Sequence, residues 1–192
     1  MQDKHNMKKI VNNNSQAYFQ IEGSKFYAFG FQIDSEKKVI EIIKNLWKEH
    51  KKAVHICYGF ILKQKNYVIE KFNDDKEPKN SAGKKILSAL QNENFTNSLI
   101  AVVRYKTKSL LGIGLLSRSY YKVSEMLLKN EQNYLPFYET EIITVKITNQ
   151  KVLSDLLNLI KIHECKIINL SDIEISFEIE KEKIKFFEKI LS

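Results

Sequence analysis

Hydrophobic and polar positions alternate along residues 17–33 (AYFQIEGSKFYAFGFQI), with aromatic and β-branched residues on both sides of Gly23-Ser24, and this predicts a β-hairpin. The period then lengthens. Asp34 or Ser35 caps a helix running to about His50, in which Val39, Ile43, Leu46 and Trp47 recur at helical spacing. Two strand-like runs follow, VHICYGFIL (54–62) and YVIEKF (67–72), close enough in sequence to pair. A polar, acidic loop over 73–80 leads into a helix from about Ser81 to Glu93. The run LIAVVRY (99–105) is apolar until Arg104, as in a strand covered on both faces or lying centrally in a sheet. The helix from about Gly112 to Lys129 puts Ile113, Leu116, Tyr120, Val123 and Leu127 on one face, and Arg118, Lys122, Glu125 and Lys129 on the other.

The stretch NEQNYLP (130–136) is polar and ends in one of the chain's two prolines, so it reads as a linker. Beyond it the pattern predicts a strand (141–148), a helix (150–163), two strands (165–170 and 173–180) turning at Ser171-Asp172, and a last helix (181–191). That β-α-β-β-α order is a ferredoxin-like pattern lacking its last strand. The expected fold class is therefore α/β, of the α+β kind. Its domains are a main one over 17–130 and a small companion over 138–192, a division that 192 residues accommodate.

Composition narrows the function classes. No apolar run reaches 18 residues, and the first residues (MQDKHNMKKIVNNNS) lack the apolar centre and small-residue cleavage site of a signal peptide. A cytoplasmic location without membrane association is expected. Cys57 and Cys165 stand far apart with no ligand-type spacing, which supports neither a disulfide framework nor a structural zinc site. The net charge of +8 is uneven: residues 1–130 hold 23 Lys/Arg against 12 Asp/Glu, residues 131–192 hold 8 against 11. A basic first part suits a polyanionic partner such as RNA, although a Lys-, Asn- and Ile-rich usage also puts lysine on ordinary solvated faces.

Chemistry concentrates between His55 and Glu125. Asp74, Asp75 and Glu77 place three carboxylates in four residues, a set that can bind a cation or, with His55, pass protons; the favoured reading is that the loop fixes its turn, accepting backbone N–H bonds and capping the helix at Ser81. Gly112-Ile113-Gly114 opens a helix but lacks the third glycine and the strand adjacency of a dinucleotide fingerprint. A phosphate held at the helix start and close packing both remain open there. G-x-S-x-G, H-E-x-x-H and P-loop motifs are absent, and no catalytic residue, metal or cofactor is assigned. The candidate nucleic-acid contacts are Lys84, Lys85, Arg104, Lys106, Lys108, Arg118 and Lys122.

This segment resembles the IMPACT/YigZ family. AVHICYGF (53–60) is similar to its T-H-x-C-Y-A-Y strand, Asp74-Asp75-Lys76-Glu77-Pro78 to its DDGEP loop, and Arg104-Tyr105 with Gly112 and Gly114 to its RYFGG-x-KLGxGG stretch. The motif residues carried over are His55, Asp74, Asp75, Glu77, Pro78, Gly83, Arg104, Tyr105, Gly112, Gly114 and Arg118. The resemblance implies an N-terminal domain like a small-subunit ribosomal protein and elongation factor G domain IV, with a ferredoxin-like C-terminal domain. It also implies a non-enzymatic role with RNA or the ribosome, or with a protein partner in translation control. An enzyme using a cleft between the acidic loop and the Gly112 turn, and a protein-protein regulator without nucleic acid, are the alternatives. Lys76 and Asn80 stand where the family has glycine, as do Thr107, Lys108 and Leu115, so these two turns are expected to take different shapes.

Overall fold

Residues of strand propensity at period two build the larger of two compact units, Met1–Phe137, around a five-stranded antiparallel sheet. The computed structural model describes residues 8–64, 66–106 and 111–188. The sheet's strands are β2 (Ser15–Ile21), β3 (Ser24–Gln32), β4 (His55–Lys63), β5 (Val68–Asn73) and β6 (Ser98–Tyr105), ordered β2-β3-β6-β4-β5. β2 and β3 form the expected hairpin, in which Ile21 pairs with Ser24 and Gly23 takes φ 73°.

Central β6 is apolar from Leu99 to Val103 because helices cover both its faces. Ile100 and Val102 meet α2 (Gly83–Asn92) and α3 (Ile113–Lys129), while Leu99, Ala101 and Val103 point toward α1 (Glu36–Glu49). Alternation sorts the neighbouring strands the same way: Phe26 and Cys57 face α2 and α3, whereas Tyr27 and Ile56 face α1. Ser35 caps α1, its Oγ accepting a hydrogen bond from the Lys38 N–H.

The polar stretch 130–136 is not a linker. Tyr134–Pro136 is a strand, β7, pairing antiparallel with β1 (Lys9–Val11), and the division between units falls after Phe137. Three-residue strands carry too little period to be read from sequence, and only the pairing reveals them. Val11 is fully buried, which ties this ribbon to the main core.

The second unit, Tyr138–Ser192, runs β8 (Thr140–Lys146), α4 (Gln150–Ile162), β9 (Lys166–Leu170) and β10 (Glu174–Glu180), with sheet order β8-β10-β9. Asn149 caps α4 by accepting the Val152 N–H, and Leu156 and Ile160 pack on Val145, Ile175 and Phe177. The last expected helix is instead a 3₁₀ segment over Lys181–Phe187, with Phe187 buried; residues 189–191 of that expectation lie outside the described residues. Among the described residues, no helix is long and apolar enough to cross a membrane.

Candidate functional site

The acidic loop folds inward. One Asp74 carboxylate oxygen accepts the N–H groups of Ala82 and Gly83 at 3.1 and 2.8 Å, and the other accepts that of Asn80 at 2.8 Å, so a single side chain holds the loop and the start of α2. Asp75 accepts the Ile56 N–H at 2.9 Å, and its carbonyl lies 2.6 Å from His55 Nδ1. Glu77 is buried, and its Oε1 accepts from Arg104 Nη1 at 2.6 Å and from the Tyr120 hydroxyl at 2.9 Å. Arg104, 4% exposed, also donates to Ser24 Oγ at 3.2 Å and lies over the Phe26 ring.

This geometry withdraws Arg104 as a phosphate contact. It is the second-last residue of the central strand, pairs with Phe26 and His55, and faces α3 rather than solvent. The charge that looked available is neutralised by Glu77 in a dry site, where an unpaired guanidinium costs far more than one in water. Cys57 sits in the same layer, donating to the Asp74 carbonyl at 3.1 Å. Burial pushes its thiol far above the ordinary range, and burial likewise raises Tyr120 well above the usual tyrosine value. A thiol held protonated is a poor nucleophile, and all three loop carboxylates already bind the fold. Among the described residues no group of three or more His, Cys, Asp or Glu is placed to hold a metal ion.

The sequence pattern puts Tyr120 on the apolar face of its helix and Ser24 in a hairpin turn; their polar roles toward Arg104 and Glu77 arise from β3, β6 and α3 meeting in space. Asp75, Lys76 and Asn80 adopt φ of 42°, 67° and 62°. The loop thus takes left-handed backbone at Lys76 and Asn80, the two positions where the family motif carries glycine. Pro78 is exposed, and its carbonyl accepts from the Ser81 N–H. A Cβ on Gly83 would stand 2.4 Å from the Asn73 carbonyl oxygen, so this glycine serves close backbone approach. Gly112 and Gly114 do not: among the described residues a Cβ at Gly112 meets nothing within 4 Å, and one at Gly114 only reaches Arg118 Nη1 at 4.0 Å. Thr107 and Lys108 fall outside the described residues.

The remaining basic residues separate onto two faces. Lys85, Arg118 and Lys122 surround a groove of about 430 Å³ whose floor includes Phe19, Ile21 and Tyr121. Phe19 and Ile21 lie on the sheet face that α2 and α3 cover, and Arg118 is exposed on the outer side of α3. Lys84 is exposed one residue away on α2. Lys122 makes a 3.5 Å contact with Glu125, whose carboxyl is held low chiefly by its hydrogen bond from Lys129. Lys106 is elsewhere, beside Tyr27, His50 and Tyr105 on the α1 side of the sheet.

Residues 22–128 match the model of the Impact N-terminal domain. Similar proteins include the IMPACT family member YvyE of Bacillus subtilis, 34% identical over 56% of this chain and 49% of that protein. An IMPACT family member of Haemophilus influenzae is 31% identical over 57% of this chain and 54% of its own length. The chain therefore spans about half the length of the curated relatives it matches. A crystal structure described as that of a hypothetical protein superposes with a TM-score of 0.64 at 21% identity, covering 95% of this chain and 90% of the other, which shows the same fold.

Proposed function

Because the chain belongs to the family of the Impact N-terminal domain, we propose that it is a non-enzymatic cytoplasmic protein that binds RNA or the ribosome and acts in the regulation of translation. The observation that carries this function is the convergence of Lys85, Arg118 and Lys122 over the Phe19, Ile21 and Tyr121 floor. Cations at the rim attract phosphates, and an aromatic floor accepts the faces of unpaired bases whatever their identity. Lys84 extends the positive surface along α2. The family resemblance adds the link to translation, and with it a protein partner in that control.

Salt dependence tests it. With four phosphate contacts, from Lys84, Lys85, Arg118 and Lys122, log K for single-stranded RNA falls against log salt with a slope near −3, about −0.7 for each contact. Arg118→Ala weakens all sequences alike and lowers the slope by about 0.7, since phosphate contacts position without specifying. Lys183→Ala is the control, because that lysine belongs to the acidic second unit and already bonds Glu180 at 2.8 Å. Absence of binding to both RNA and ribosomes at low salt, or an equal loss in the control, overturns the assignment.

A further inference from the structure

The sheet's other face carries an aromatic site that the groove does not use. Tyr18, Tyr27 and Tyr105 come from β2, β3 and β6, with ring centroids 4.8 Å apart for the first pair and 5.8 Å for the second. α1 covers β4 and β6 through Leu46, Ile42 and Ile43, but toward β2 the face opens, and Tyr18 is 44% exposed. There, Gly23, Lys25, Tyr27, His50, Tyr105 and Lys106 line a pocket of about 430 Å³, within the range of small-molecule sites. The Tyr105 hydroxyl and His50 Nδ1 share a 2.8 Å hydrogen bond that holds both rings in place.

Its charge is one-sided. Lys25 and Lys106 are exposed, neither has an ion-pair partner among the described residues, and no acidic side chain is among the lining residues. Lys25 lies across the β3–β6 ladder from Tyr105, and Lys106 follows Tyr105 in the chain, so both cations stand at the rim of the tyrosine pair. A tyrosine-walled pocket flanked by free ammonium groups complements a flat π-system bearing negative charge. Ordinary sheet packing accounts for the rings; it does not account for two unpaired lysines bordering half-open rings.

We infer that this pocket binds a nucleobase carrying a phosphate, as a free nucleoside monophosphate or as an unpaired nucleotide of an RNA strand. The base lies against Tyr27 and Tyr105, and the phosphate meets Lys25 and Lys106. The opposite orientation is disfavoured because α1 ends at His50, and the negative end of its dipole repels a phosphate placed there. The site is on the sheet face opposite the Arg118 groove and does not depend on the function proposed for that groove.

The test is calorimetric titration of the full chain with AMP, UMP, ribose 5-phosphate and a single-stranded octanucleotide. AMP or UMP binds measurably and ribose 5-phosphate at least about tenfold more weakly, because the stacking contribution is missing. Tyr27→Leu loses about tenfold or more, Lys25→Glu loses affinity without entering the core, and Lys183→Ala, in the second unit, leaves mononucleotide binding unchanged. If the mononucleotides bind as tightly as the octamer, the ligand is a free nucleotide. If the octamer binds more tightly and still depends on Tyr27 when Arg118 is removed, it is a strand. Failure of all nucleotides to bind, equal binding of ribose 5-phosphate, or full affinity in both folded Tyr27→Leu and Lys25→Glu overturns the inference. Loss on Arg118→Ala alone, with Tyr27→Leu unaffected, assigns the nucleotide to the groove instead.

Discussion

The chain's two arginines, 14 residues apart, have opposite fates. Arg104 lies near the end of a central strand whose neighbours present Phe26 and His55, so its guanidinium is enclosed, bonded to Glu77 and Ser24 and set over the face of Phe26. Arg118 lies one turn into a helix on the side away from the sheet, bordered by Lys85 and Lys122. The first is part of the means by which the acidic loop is attached to the sheet; the second is available to a partner. Two residues of identical chemistry within one motif-rich segment therefore divide into structure and surface according to what the fold packs around them.

The largest expected effect is at Arg104. Arg104→Ala leaves Glu77 buried without its cation and lowers stability by about 3–5 kcal/mol, read as a shift in urea midpoint. RNA affinity per folded molecule stays the same. A stable Arg104→Ala protein that has lost RNA binding would dissolve the contrast between the two arginines.

The glycines sharpen the same contrast. Gly83→Ala drives a Cβ into the Asn73 backbone and costs roughly 1–3 kcal/mol, although alanine is the better helix former. Gly114→Ala, in open space on α3, raises thermal stability by up to about 1 kcal/mol. Equal effects at the two sites in denaturation experiments would mean that the approach of loop to strand is looser than described.

Alkaline pH probes the enclosed side as a whole. Burial raises the Cys57 and Tyr120 pKa values in the folded state, so their contribution is intact below the unfolded-state values and is lost as pH rises beyond them. The unfolded thiol releases its proton near its ordinary value of 9.0 while the folded one keeps it. Stability should therefore fall above about pH 9, by about 1.4 kcal/mol per pH unit for each group once titrating, and Cys57→Ala should flatten the first part of that fall. An unchanged alkaline limb in Cys57→Ala counts against a sequestered thiol.

The smallest stability effect belongs to Arg118. Arg118→Ala should change unfolding free energy by less than about 0.5 kcal/mol, since an exposed side chain without a buried partner contributes little. A large loss in denaturant titration would place Arg118 among the structural residues and remove it from the binding surface.

Much of the element order was legible because it rests on local pattern. The β2–β3 hairpin, α1 with its Ser35 cap, the apolar centre of β6 and the amphipathic α3 each follow from period and turn chemistry within a dozen or so residues. The short strands β1 and β7 were invisible for the complementary reason: three residues show no period, and what stabilises them is a partner about 125 residues away. The acidic loop was readable as a turn and cap from its three carboxylates ahead of the helix at Ser81, and Asp74 is the one that bonds the first turn of that helix. Its left-handed backbone at Lys76 and Asn80 was not readable, since lysine advertises no such conformation and the surrounding bonds impose it.

By itself the sequence determined the longer strands and helices through Glu180, which unit is basic and which acidic, and the family to which residues 22–128 belong. Those properties are sums over local residues, or strings compared one with another. Only the tertiary structure decided that Arg104 is neutralised while Arg118 has no ion-pair partner among the described residues, that Lys106 lies across the sheet from Lys122, and that Tyr27 and Tyr105 stand beside Lys25 and Lys106. Burial, pairing and shared pockets depend on distances between elements far apart in the chain, and no local pattern encodes those distances.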